Sequence, residues 1–338
     1  MGVSLLLTVD IGGTTINSGL FQLDNQCLPI SLIHSTQVAT SKGMRAVAHD
    51  FSECVAQAEE FCKENKGSLL PIIGVGTPGN LIGTPQTIIA DGTAFNLEQF
   101  SGEFNGVDMQ ELLKTMIWEG YSIHLFNDAI AQMCGGLNLI LKKDPDLESE
   151  FLGHNIAYIG PGTGLGGGFA NVTPEGVLDF YSDGHIFDVA LKLDDQEPVK
   201  AEDVLSGTVF AKLGHSGKDV NDHDDLFTQY SPQIIEMGHY LSQLVTQILS
   251  GDLSKIDPIN NWPESDIEKA KKTSIFLFGG SLGTKGRLSE LLRETAQADI
   301  EEHHPDMILL PIPDSDLAAL IGAASLIPTT LLQDNVLE

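Results

Sequence analysis

Basic residues are scarce in this chain. Its 338 residues carry 18 Lys and Arg against 47 Asp and Glu, a formal charge of −29. Such a balance repels phosphate backbones and anionic lipid, so neither nucleic acid nor membrane is expected as a partner. The acids are spread along the sequence rather than gathered in a tail, and they read as a solvated surface. Cysteine is equally sparse. Cys27, Cys54, Cys62 and Cys134 form no C-x-x-C pair and are too scattered for a disulfide scaffold or a cysteine-only metal site, which fits a reducing cytoplasm. Long apolar runs are missing too. Leu317 to Ile327 stops at Pro328, well short of the roughly 20 residues a bilayer span needs. The opening run from Val3 to Val9 has no basic residue ahead of it and ends in Asp10, so it reads as a strand and not as a leader.

What remains, 42% hydrophobic and 19% charged residues, is a globular composition long enough for two domains. The first forty residues read as strand, turn, strand, turn, strand: Leu5–Asp10, Thr15–Leu23 and Leu28–Val38. Apolar residues at helical spacing from Met44 to Cys62 predict a helix closing near Gly67. A buried strand in "PIIGVG", a helix over Gln110–Ile117, and a strand at Ser122–Phe126 follow. That last strand delivers Asn127-Asp128 to the head of a helix from Ala129 to Leu141. The layout then repeats, with strands at Asn155–Gly160 and Gly168–Val172 around "PGTGLGG". The later chain predicts helices over Ala201–Leu213 and Gln233–Leu249, a loop over 250–272, the strand "SIFLFGG", a helix from Lys285 to Ala296, the strand "MILLPI" and a closing helix Asp316–Ile327. Two related α/β domains facing a shared cleft, each with one Gly/Thr turn, are therefore expected.

Each such turn suits phosphate. In "VDIGGTT", Gly12 and Gly13 let backbone amides approach an anion, Thr14 and Thr15 add hydroxyls, and Asp10 stands where a hydrated Mg²⁺ needs a carboxylate. An ordinary tight hairpin is the competing reading. Residues 162–167 also satisfy G-x-G-x-x-G, but strand and turn follow instead of a helix, so the dinucleotide fold fails. "LFGGSLGTKG" is likewise no P-loop; its Gly-Gly-Ser turn could pack beneath a purine. Asn127-Asp128 could be a plain helix cap, or Asp128 a carboxylate that orients an attacking hydroxyl in phosphoryl transfer. "KDVNDHDD" at 218–225 lacks the Gly and Glu of a calcium loop and reads as a polar surface loop.

In this order, VDIGGTT, FNDAIA, GPGTGLGGG, AEDVLSG, LFGGS and DLAALIGAA resemble the ROK and bacterial glucokinase sugar kinases of the actin-like ATPase superfamily, from residue 9 to residue 324. The resemblance implies an α/β fold of two actin-like (ribonuclease H-like) ATPase domains with mixed sheets facing a central cleft. A small domain would span 1–125 plus about 312–335, and a large one 126–311. It implies a nucleotide site of Asp10, Gly12, Gly13, Thr14 and Thr15, then Gly162, Thr163 and Gly164, then Gly279, Gly280 and Ser281 at the adenosine. Asp128 takes the place of the catalytic aspartate, while Asn96, Asn127 and His185 take places on the sugar. A second sugar acid falls on Asp195 or Glu197, and the usual Glu before the histidine falls on Ser182, with Asp183 beside it.

The implied activity is ATP- and Mg²⁺-dependent phosphorylation of a hexose, glucose at its 6-hydroxyl first, with an N-acetylhexosamine or fructose kinase or a non-catalytic sugar sensor as alternatives. A homodimer is implied by the resemblance alone. Residues 186–206 hold no cysteine, so the zinc cluster of many relatives is not expected. The first phosphate turn starts at residue 9, so no DNA-binding segment is expected ahead of it.

Overall fold

The computed structural model describes residues 3–24, 29–41, 43–82, 87–90, 106–182, 186–193, 197–254, 262–284 and 286–336. The chain forms two compact units, residues 1–138 with 316–338, and residues 139–315. The first is built on strands β1 (Ser4–Ile11), β2 (Thr15–Leu23), β3 (Pro29–Ala39), β4 (Ser68–Thr77) and β5 (Ser122–Asn127), with helices α1 (Met44–Glu64) and α2 (Asp128–Lys143). The sheet order is β3-β2-β1-β4-β5; β1, β2 and β3 are antiparallel, while β4 and β5 run parallel to β1. β1 lies in the middle, and its run Leu5, Leu6, Leu7, Val9, Ile11 is buried, as a strand covered on both faces requires. One covering layer is α1, whose Val47, Phe51, Cys54, Val55, Ala58 and Cys62 recur on one face and are buried. A small antiparallel sheet, Asn80–Ile82 with Thr87–Ala90 and Val107–Asp108, extends this unit.

The second unit repeats the plan with β6 (Asn155–Pro161), β7 (Leu165–Val172), β8 (Leu178–Ser182), β9 (Thr273–Phe278) and β10 (Ile308–Pro311). Their order, β8-β7-β6-β9-β10, and their mix of antiparallel and parallel pairings match those of the first sheet. Helices α3 (Ala201–Leu205), α4 (Asp224–Ser250) and α5 (Gly286–His303) belong to it. Phe169, Phe210, Leu241, Leu244, Phe276, Phe278, Leu288 and Leu292 fill its core. The expected mixed α/β architecture is therefore present, twice over.

Three local expectations fail. The helix expected over Ala201–Leu213 is interrupted: α3 ends at Leu205, and a short helix, Thr208–Ala211, begins after Ser206-Gly207. Residues 218–225 are not a loop. Gly217–Asp222 is helical because Ser216 and Asp219 form a reciprocal capping box, with Ser216 N donating to Asp219 Oδ2 at 2.8 Å and Asp219 N to Ser216 Oγ at 3.1 Å. α4 then starts at Asp224 and continues through Pro232. A proline there loses one backbone bond, but burial of Tyr230, Ile234, Met237 and Leu241 along the same helix outweighs it. The expected loop over 250–272 also contains a helix, Glu264–Ala270.

The chain passes between the units within α2 and again at Ser315-Asp316, where α6 (Ser315–Ser325) begins. α6 packs into the first unit, burying Leu320 and Ala324 against Leu6, Phe21 and Ile72. It meets α2 backbone to backbone: a Cβ on Gly322 would overlap the carbonyl oxygen of Ala131, and one on Gly135 the carbonyl oxygen of Ala318. Among the described residues no helix is long and apolar enough to cross a membrane.

Candidate functional site

In the first unit the parallel strands deliver the chemistry to one end of the sheet. Asp10 on β1 pairs in register with Gly76 on β4, which pairs with Phe126 on β5, so Asn127-Asp128 emerges beside it. Asp10 also begins a row across the antiparallel strands, opposite Asn17, which is opposite Gln37. Gln37 Nε2 donates to Asn17 Oδ1 at 2.7 Å, which turns the amide group of Asn17 to the Asp10 carboxylate. Asp10 is only 6% exposed and its Oδ1 has no partner. Burial, then the nearby Asp128 carboxylate, lifts its pKa to about 8; Asp316 adds to this and the Asn17 bond opposes it. Asp128 keeps partial solvent access, yet its carboxylate is withdrawn from bulk water and pushed up to about 6, against the pull of a bond from Ala129 N at 2.8 Å.

The turn from Gly12 to Thr15 closes with Gly12 N donating to Thr15 O at 2.9 Å. Thr40, just past β3, ties the turn's carbonyls back: its amide donates to Thr14 O at 3.0 Å and its hydroxyl to Gly12 O at 2.8 Å. Thr14 is exposed and Thr15 half-buried. Asn127 caps α2, its Oδ1 accepting from Ala129 N at 3.0 Å and Ile130 N at 3.2 Å while Nδ2 donates to Gly79 O at 3.1 Å.

In the second unit, Gly162 N donates to Gly164 O at 2.8 Å, and Gly207 N donates to Gly162 O at 2.7 Å. Gly279 N bonds Ile159 O at 3.0 Å, which seats the Gly279–Ser281 turn against β6. Gly280 O accepts from Thr284 Oγ1 at 3.0 Å and from the buried Ser315 Oγ at 3.1 Å. A Cβ on Gly162 would lie 3.6 Å from Ser281 Oγ, so the two turns adjoin.

The structure thus gathers Asp10, Gly12, Gly13, Thr14, Thr15, Asn127 and Asp128 in one unit, and Gly162, Thr163, Gly164, Gly279, Gly280 and Ser281 in the other. Asn96, His185 and Asp195 lie outside the described residues, as does Asp183. The sequence reading missed Asn17, Gln37, Thr40, Asp316 and Glu202. Strand register would have found the first two. Thr40 is signalled by a hydroxyl residue just past the third strand, and Asp316 by an acid opening an apolar helix. Among the described residues no three His, Cys, Asp or Glu side chains are arranged to hold a metal directly. The orphaned oxygen of Asp10, with the Asp128 and Asp316 charges nearby, fits a cation reached through water.

No family model matches the sequence, and no curated protein is significantly similar to it. Solved structures are similar over nearly the whole chain. A ROK family glucokinase from Streptomyces griseus, in complex with glucose and AMPPNP, aligns with a TM-score of 0.59 at 18% identity, covering 95% of this chain and 98% of that one. A glucokinase from Balamuthia mandrillaris in complex with glucose aligns at 0.62 and 12%, covering 96% and 94%. A ROK family transcriptional regulator, a homolog of the E. coli MLC protein, aligns at 0.56 and 13%, covering 98% and 81%. At these identities the likeness is one of fold.

Proposed function

For a chain with the two-domain, actin-like ATPase fold of the ROK sugar kinases and glucokinases, we propose ATP-dependent transfer of the γ-phosphoryl group to a hexose, most simply the 6-hydroxyl of glucose. The observation that carries this reading is Asp128, a carboxylate with a pKa of about 6 at the strand end beside Asp10. Ionised at neutral pH, it can accept a hydrogen bond from a sugar hydroxyl, aim it at phosphorus, and take its proton late in a loose transition state. The turns at 12–15 and 162–164 would cradle the phosphates through backbone amides, and Gly279–Ser281 would lie under the adenosine. Asn96, Asn127, His185 and Asp195 would hold the sugar hydroxyls. Mg²⁺, bound through water to Asp10, would neutralise charge on the phosphates. The reaction would belong to cytoplasmic sugar breakdown.

The regulator that shares the fold favours a second reading, a sugar sensor without turnover. ADP release with glucose, mannose, fructose and N-acetylhexosamines, alongside calorimetric sugar binding, separates them. Release that depends on one sugar supports the kinase. Binding without release supports the sensor, and sugar-independent hydrolysis overturns both.

A further inference from the structure

The 162–164 turn is held from outside its own sheet by α3 and the residues after it. Ala201 N bonds Val189 O at 2.9 Å and Glu202 N bonds Phe187 O at 2.8 Å, fixing the start of this short helix. At its end the fully buried Ser206 donates to Glu202 O at 2.6 Å and pairs with Thr208 Oγ1 at 2.7 Å. Glu202 is therefore anchored through both its amide and its carbonyl. From that anchor its side chain reaches the turn, where Oε1 accepts from Leu165 N at 3.3 Å. The same oxygen stands 2.6 Å from where a Cβ on Gly164 would be, so a larger residue at 164 would expel the carboxylate. Pro161, the register partner of Leu165, has no amide with which to close the hairpin reciprocally. A carboxylate set against a turn whose proposed ligand is an anion is unfavourable in charge alone. The arrangement makes sense if the geometry it enforces matters more.

We infer that Glu202 is a positioning residue for the phosphoryl donor, a role that rests on the nucleotide reading above. Its carboxylate fixes the Leu165 amide while Gly207 fixes the Gly162 carbonyl, and the turn so held presents the Thr163 and Gly164 amides to the β-phosphate of a nucleoside di- or triphosphate. AMP, which has no β-phosphate, is indifferent to the brace.

Calorimetric titration of ADP and of AMP, each with Mg²⁺, into wild type and the variants Glu202→Ala, Glu202→Gln and Glu202→Asp tests this. Glu202→Ala should weaken ADP by about fivefold or more and leave AMP within about twofold. Glu202→Gln, whose amide oxygen accepts the same bond, should bring ADP back to within about twofold of wild type. Glu202→Asp is one methylene too short to reach Leu165 and should behave as Glu202→Ala, standing in for it if that variant does not fold. Equal losses for ADP and AMP, an unchanged ADP affinity in the Ala and Asp variants, or a Gln variant no better than Ala would each overturn the inference and leave the nucleotide reading intact. A wild type that binds neither nucleotide overturns that reading and this inference with it.

Discussion

The two hairpins occupy the same place in two sheets of the same order, yet the residue at matching register differs. Asp10 opposite Asn17 in the first sheet corresponds to Gly160 opposite Gly166 in the second. In the first, strand register and the Gln37–Asn17 bond serve a buried acid. In the second there is no room for any side chain: a Cβ on Gly160 would collide with the hydroxyl of Tyr158, which is 1% exposed. The bracing differs in kind as well. Thr40 only donates to the first turn, whereas the second turn both receives a bond from Gly207 and gives one to Glu202. One backbone plan thus supports a hairpin with a buried acid on its own strand and one whose nearby acid, Glu202, reaches in from a helix outside the sheet, as expected if the acid chemistry is confined to the first.

The most damaging way to break that division is Asp128→Asn. Turnover should fall by about 10²–10⁴ while ADP affinity stays within about twofold, because the second turn lacks any share in the acid chemistry. Steady-state rates and calorimetry read the two quantities separately. Turnover within about tenfold of wild type would remove Asp128 from the mechanism.

Proton linkage sharpens the charged side. Asp10 titrates near 8 when folded, raised by burial and by Asp128, against 3.8 for an ordinary aspartate. Between those values the native, metal-free protein holds a proton that the unfolded chain releases, so stability falls as pH rises from about 4 to about 8. A loss of up to about 6 kcal/mol across the window is expected, at about 1.4 kcal/mol for each pH unit, and Asp10→Asn should flatten it. Urea midpoints at several pH values in chelator measure this; parallel profiles for wild type and variant would refute it. Since Asp10 and Asp128 interact, the steps belong to the pair. If Asp128 is the base proposed above, its ionised form is the active one, and kcat/KM should climb with pH through about 6.

In the second sheet, Gly160→Ala should cost about 2 kcal/mol by overpacking against Tyr158, read as a lower urea midpoint at unchanged slope. The smallest effect belongs to Asn127. Removing its cap in Asn127→Ala should destabilise by about 1 kcal/mol, and Asn127→Ser, which can still cap α2, should recover most of it.

Much of this could be read from residue order alone. The hairpins announce themselves by an apolar run, a Gly/Thr turn and a second run, and Asp128 by its place between a strand and a helix. Longer-range placement could not be read that way. Asp316 acts on Asp10 from the far end of the chain because α6 folds back, and nothing local to either residue encodes that return. Glu202 stood in a recognisable motif, but its bond to Leu165 joins residues 37 apart in the chain, and no local pattern encodes that reach. The start of α4 eluded the apolar spacing for the opposite reason: the helix expected from Gln233 begins at Asp224 and runs through Pro232, carried by burial along its length.

The crossing of α2 and α6 has an evolutionary consequence. Asp128 opens one helix and Asp316 stands in the first turn of the other, and the two backbones touch at Gly135 and Gly322 with no side chain between them. Most cores drift, because a neighbour can shrink when a residue grows and the volume is conserved. Here there is no neighbour to shrink. The spacing of the acids is therefore insulated from gradual repacking elsewhere in the unit. A larger residue at either glycine would change it in a single step, with the acid end disturbed at once.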